Sequence, residues 1–171
     1  MKKYLVIGNP IEHSLSPKLH NYWFKKNNID ANYDRKKIDK SEIQKIISEI
    51  REDKLDGINV TVPFKSDVIP FLDTLSKESQ ITQSVNTIYK QDKKLIGHNT
   101  DIKGFELSLK ETQFNLENKT IFILGAGGVV PSIIYVLEKL GISKIIVSNR
   151  TKQKTENLKK YFSNIRIADW G

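Results

Sequence analysis

TIFILGAGGVVPSIIYVLEKLGISKIIVSNRT, residues 120 to 151, decides how the fold is read. An apolar, strand-like run ends in a glycine turn, a helical pattern follows and is closed by Gly141, and a second apolar run leads into SNRT. That order is one βαβ unit. The sequence predicts the first run as a buried strand, and a further helix over 152–162 and a short strand near 165–168 extend the unit. Gly125 allows the tight turn, Gly127 removes a side chain where backbone would approach a phosphate, and the helix start offers unpaired N–H groups and a partial positive charge. Val130 occupies the third position of a G-x-G-x-x-G pattern, so the match is incomplete, and a glycine turn that merely packs helix on strand is the competing reading. The end of the second strand bears on the choice. Where NAD-binding proteins place an acidic residue against the ribose, this chain has Ser148, Asn149, Arg150 and Thr151, and Arg150 suits a 2′-phosphate. NADP is therefore expected over NAD. Lys154 either assists or is an ordinary surface lysine, and Asn149 either belongs to this site or ends the strand.

Working outward, residues 1 to 100 also alternate strands and helices. A strand over 3–8 gives way to NPIEHSLSP, where Ser16 and Pro17 read as a helix cap and first helical position. A helix is expected over 17–27, a strand over 31–38, and a helix over 41–53 with Ile43, Ile46, Ile47 and Ile50 on one face. GINVTVPFK (57–65) alternates Ile58, Val60 and Val62 against Asn59 and Thr61, then delivers Lys65 where the chain must turn. A short helical stretch follows over 64–72. SVNTIYKQDKKLIGHNTD reads as a β-hairpin around the QDKK turn. The predicted fold is α/β: an N-terminal α/β substrate domain over 1–101 with a mostly parallel sheet, a connecting helix and linker over 102–118, and a partial Rossmann-type domain over 119–171.

Composition narrows the function classes. With no cysteine, disulfides, thiolate metal sites and cysteine nucleophiles are excluded, and three scattered histidines make no metal cage. The net charge of +8 is spread evenly, since 17 Lys and Arg face 13 Asp and Glu in residues 1–100 and 11 face 7 in residues 101–171. Without a basic tail or a basic stripe carrying aromatics, a nucleic-acid partner is not expected, whereas an anionic substrate or cofactor is favoured. Hydropathy shows no membrane span or leader, so a cytoplasmic, unprocessed protein is expected.

The polar residues of the first domain sit at strand-to-loop junctions, where open α/β sheets bind ligands. Ser14 and Ser16 precede a helix start and suit a carboxylate. Thr61, Asn86 and Asp101 follow at later junctions. Oxidising or forming an alcohol at carbon requires a group that moves the hydroxyl proton, and Lys65 with Asp101 is the pair chosen.

HSLSPKLHN, NVTVPFK, SVNTI, GHNTDIKGF, GAGG and SNRT, in that order, resemble the shikimate dehydrogenase family, whose members reduce 3-dehydroshikimate to shikimate with NADPH. The resemblance spans essentially the whole chain. It implies Lys65 and Asp101 as the catalytic pair, Ser14 and Ser16 on the substrate carboxylate, and Thr61, Asn86 and Asp101 on the ring and its hydroxyls. On the cofactor side it implies Gly125, Ala126, Gly127, Gly128 and Val129 at the phosphate turn, with Asn149, Arg150 and Thr151 at the 2′-phosphate. Lys154 replaces a frequent arginine, keeping charge without the fork. No metal is implied, and the assembly expected is a monomer or homodimer. Two alternatives stand beside this reading: a quinate/shikimate dehydrogenase of broader specificity, and an inactive form that only binds the anionic substrate. The second follows because only two or three of about six Rossmann strands precede Gly171, so the chain is read as truncated at its C-terminus.

Overall fold

Val6 and Ile7 point to opposite faces of β1 (Lys2–Gly8), and both are buried, in two separate apolar clusters. A strand buried on both faces belongs inside a sheet. In the computed structural model, which describes residues 1–171, β1 pairs in parallel with β2 (Ala31–Lys37) on one side and β3 (Gly57–Val60) on the other. The chain divides into two compact units, Met1–Asn99 and Thr100–Gly171.

In the first unit, the larger cluster gathers Ile7, Ile58 and Val60 against Ile43, Ile46, Ile47 and Ile50 of α2 (Ile43–Arg51). All four helix isoleucines are buried, as their spacing predicts, and burying each contributes roughly 1.5–3 kcal/mol. On the opposite face, Val6, Ile11 and Tyr33 pack with Tyr4 and Phe24, the latter from α1 (Ser16–Lys26). The hairpin forms as expected: β5 (Thr87–Gln91) and β6 (Lys94–His98) flank Asp92 and Lys93, both with positive φ. It joins β3 antiparallel through β5, while β4 (Thr74–Leu75) adds in parallel to β6, giving the order β2-β1-β3-β5-β6-β4.

Several local expectations are corrected. Ser16 is the first helical residue and not the cap, because the turn before it is already helical at Leu15. Val62 is 57% exposed, since β3 ends at Val60 and the apolar row stops with it. The stretch 64–72 holds only a short 3₁₀ turn, Ile69–Phe71, because Pro70 supplies no N–H to an α-helical ladder. The sequence reading also omits β4 and a short helix, α3 (Lys77–Thr82), whose cap Ser76 accepts a bond from the Ser79 N–H at 3.2 Å.

The second unit opens with α4 (Asp101–Glu111), which packs on α5 (Val130–Lys139). Three parallel strands, β7 (Thr120–Leu124), β8 (Lys144–Ser148) and β9 (Ile165–Ala168), form the sheet in that order. α5 connects β7 to β8 and α6 (Lys152–Leu158) connects β8 to β9, as parallel strands require. Phe122 and Leu124 share one face of β7 and are exposed, so this strand is not the buried one expected. The last helix is shorter than predicted; it closes at Leu158, and Phe162 turns into the core beyond it. No helix is long and apolar enough to cross a membrane.

Candidate functional site

Two proline turns lie side by side at the carboxyl ends of β1 and β3. The Asn9 N–H donates to the Val62 carbonyl at 3.0 Å, and the Thr61 N–H donates to the Ile7 carbonyl at 2.9 Å. Gly8 makes this approach possible: a Cβ there would lie 2.6 Å from the Thr61 methyl and 3.0 Å from the Val62 carbonyl. Thr61 is thereby fixed at the mouth of the strand. Three residues on, Phe64 is buried in the main core at 3% exposure, and the Val85 N–H donates to the Lys65 carbonyl at 2.8 Å. The Lys65 backbone is therefore held on both sides, while its half-buried side chain leaves the core.

Asn86 is buried next to this turn, its carbonyl accepting from the Val60 N–H at 2.9 Å and its own N–H donating to the His98 carbonyl at 3.0 Å. The Ser14 hydroxyl accepts from the Ser16 N–H at 3.3 Å, and Arg35 donates to the Ser14 carbonyl at 3.3 Å. Ser14 and Ser16 are half-buried on either side of Leu15, which is exposed. The Tyr33 hydroxyl, buried and stacked under His20 with ring centres 4.2 Å apart, donates to the Asn59 side-chain oxygen at 2.6 Å. Burial pushes the Tyr33 phenol up from its ordinary range, with a hydrogen bond from Ser16 opposing, and burial likewise lowers His20. Ser14 and Ser16 thus share one turn, while backbone hydrogen bonds tie Thr61 to β1, Lys65 to Val85, and Asn86 to β3 and β6. Asp101 opens α4 in the second unit and is half-buried.

At the glycine turn, Gly125 has φ of +112° and its N–H donates to the Ser148 carbonyl at 2.7 Å, binding the turn to the end of β8. A Cβ placed at Gly125 or Gly127 would meet no atom within 4 Å, so helix-on-strand packing does not explain Gly127. The open space above that backbone fits the close approach of a phosphate. Asn149 does more than end the strand. Its side-chain oxygen accepts from the Ala126 N–H at 3.1 Å and its amide donates to the Thr151 carbonyl at 2.9 Å, so one side chain braces the glycine turn against the SNRT loop.

Arg150 and Lys152 border a cavity of about 210 Å³ beside that loop, closed by Thr155, Ile167 and Trp170. Lys154, the residue selected from the sequence, is exposed and does not line this cavity, whereas Lys152 does. Gly128, Val129 and Thr151 are exposed around the turn and the start of α6. A larger cavity of about 580 Å³ lies at the amino-terminal ends of β7 and β8, among residues 109–119 and 140–144, away from this chemistry. No cluster of metal-ligating side chains is present.

These arrangements define an α/β protein in which a substrate-type α/β unit precedes a Rossmann-type βαβ unit. Residues 6–88 match the shikimate dehydrogenase substrate binding domain, and residues 106–169 match the shikimate / quinate 5-dehydrogenase family. The chain belongs to the shikimate dehydrogenase family. It is 60% identical over 170 residues to a shikimate dehydrogenase (NADP(+)) of Pelagibacter ubique, a match covering 99% of this chain and 64% of that one. The crystal structure of shikimate dehydrogenase from Aquifex aeolicus superposes with a TM-score of 0.90 at 38% identity, over 98% of this chain and 62% of that one. Shikimate 5-dehydrogenase of Thermus thermophilus, in complex with NADP(H) and shikimate, superposes with a TM-score of 0.87 at 30% identity, over 98% and 63%. The chain thus spans somewhat under two thirds of the length of these relatives.

Proposed function

We propose that this chain carries the substrate and cofactor groups of an NADP-dependent shikimate dehydrogenase, which interconverts 3-dehydroshikimate and shikimate in aromatic amino acid biosynthesis. The observation carrying the proposal is the 60% identity to a shikimate dehydrogenase (NADP(+)) over nearly the whole chain. Residues 1–101 serve as the substrate domain, 102–118 as connection, and 119–171 as part of the NADP domain. Ser14 and Ser16 bind the substrate carboxylate, and Thr61, Asn86 and Asp101 bind the ring and its hydroxyls. Bound NADPH supplies the hydride. Lys65 gives a proton to the oxygen of the reduced carbonyl and takes it back in the reverse direction, with Asp101 as its partner. The turn from Gly125 to Val129 takes the pyrophosphate through backbone N–H groups, and Asn149, Arg150 and Thr151 meet the 2′-phosphate, with Lys154 adding charge.

We place the protein in the cytoplasm, as a monomer or homodimer with a small anionic substrate and neither a nucleic-acid nor a membrane partner. The test is NADPH oxidation with 3-dehydroshikimate by this chain, with Lys65→Met expected to lower turnover about 10²–10⁴-fold at little cost in shikimate affinity. Turnover by Lys65→Met within a few fold of the parent sinks the proton-transfer role. Shikimate binding without any NADPH oxidation makes the chain a binding module instead. The name of the matched second family favours quinate as the rival substrate, and a quinate rate equal to that for shikimate establishes the broader specificity.

A further inference from the structure

Four side chains make a one-way hydrogen-bond chain that ends on Asn86. Its direction is set by a group that cannot flip, the Asn86 backbone carbonyl, which only accepts. Asn59 lies 3.1 Å from that carbonyl and must present its amide N–H₂ there, so its other N–H points to the Thr87 hydroxyl oxygen at 3.0 Å. The Asn59 oxygen is then left to accept from the Tyr33 hydroxyl at 2.6 Å. With a lone pair of Thr87 taken by Asn59, the Thr87 proton goes to the Asn86 side-chain oxygen at 2.9 Å. The Asn86 amide is consequently locked with its oxygen toward Thr87 and its N–H₂ turned the other way. Flipping it would set N–H₂ against a hydroxyl whose proton has no other acceptor in this chain of bonds.

We propose that Thr87, backed by Asn59 and Tyr33, is a positioning residue that fixes Asn86 as a hydrogen-bond donor to a ligand hydroxyl or carbonyl oxygen. The inference rests on the reading of Asn86 as a substrate-binding residue. Its chemistry is specific. A donor amide selects an oxygen that can accept, which both a ring hydroxyl and a ketone can do, whereas a flipped Asn86 would accept only from a hydroxyl and would repel the ketone. The framework also explains why a Tyr, an Asn and a Thr share one partly buried row, where apolar residues would pack without any polar group to satisfy.

Thr87→Val keeps the shape and removes the hydroxyl, and Thr87→Ser keeps the hydroxyl. By calorimetry on the 171-residue chain, shikimate affinity should fall about tenfold in Thr87→Val, the loss of one well-placed hydrogen bond, and stay within about twofold of the parent in Thr87→Ser. Tyr33→Phe, at the far end of the row, should weaken binding about threefold. In parallel, the assigned Asn86 side-chain amide resonances, recorded without ligand, should shift or broaden in Thr87→Val and persist in Thr87→Ser. A parent chain that binds shikimate alongside a Thr87→Val variant that binds it equally well overturns the inference. A parent chain that binds no shikimate overturns the functional reading, and the resonances then decide the inference alone: unmoved Asn86 signals in both Thr87→Val and Tyr33→Phe refute it.

Discussion

Gly8→Ala tests how tightly the two proline turns are joined. The new methyl would sit 2.6 Å from the Thr61 methyl, 3.0 Å from the Val62 carbonyl and 3.1 Å from the Ile11 terminal methyl. Carbon atoms in contact normally rest about 3.5–4.0 Å apart, so the first contact is short by about 1 Å. Ile11 can swing away, but the Val62 carbonyl is pinned by the Asn9 N–H at 3.0 Å, leaving Thr61 to rotate. Overpacking of this kind costs about 1–3 kcal/mol, against about 0.4–1 kcal/mol gained by restricting the unfolded chain, for a net loss of about 1–2 kcal/mol.

Urea denaturation reads this loss, with Trp170→Phe in the background so that Trp23, the other of the two tryptophans, reports the first unit. At a slope of about 1–2 kcal/mol per molar urea, the midpoint should fall by about 0.5–2 M. Adding Thr61→Ser removes the clashing methyl and keeps the hydroxyl, so most of the loss should return. A midpoint within about 0.2 M of the parent for Gly8→Ala, or no recovery with Thr61→Ser, refutes the steric account.

Further outcomes follow from the second unit. Asn149→Ala should weaken NADPH and NADH binding alike, by about tenfold, because it unties the glycine turn; Arg150→Gln should weaken NADPH alone, and competitive fluorescence titrations with both nucleotides separate the two effects. Gly104, in mid-helix with no atom within 4 Å of an added Cβ, should accept alanine with a gain of about 0.5–1 kcal/mol, seen as a higher melting temperature of the second unit. The Lys110 hydrogen bond, followed by the charges of Lys103 and Lys139, holds the Glu106 carboxyl down at about 2, against burial that opposes it. A depressed carboxyl stabilises the fold fully above its unfolded value of 4.5 and loses that contribution as pH falls toward 2. Glu106→Gln should therefore melt below the parent at neutral pH, with the gap closing between those two values; a gap that stays constant across that window argues against the lysine cluster as its source.

The periodic elements were legible in the sequence. Ile43, Ile46, Ile47 and Ile50 declared their helix face, and QDKK declared its hairpin, because spacing and turn chemistry act locally. Elements too short to repeat their period were not legible: Thr74–Leu75 is a strand only because β6 pairs with it, and Lys77–Thr82 shows itself only through the Ser76 cap. Exposure was misjudged at Val62, Phe122 and Leu124 because alternation reveals which residues share a face but not whether another element covers that face. In the proposed site, each residue of the first unit was singled out from its motif. The bracing by Asn149 and the row from Tyr33 to Asn86 were not, since they join residues up to 28 positions apart through side-chain atoms whose register no motif encodes.

Phe64 and Lys65 are neighbours with opposite destinations, one sealed in the core and one leaving it. The backbone between them behaves as a lever whose fulcrum is an aromatic ring, so whatever loosens the ring moves the ammonium. With Lys65 in its proposed role, an activity-based mutational scan would therefore score conservative changes at Phe64 as if they struck the proton transfer. Folding and function would be inseparable at that pair unless abundance and rate were measured on the same variants.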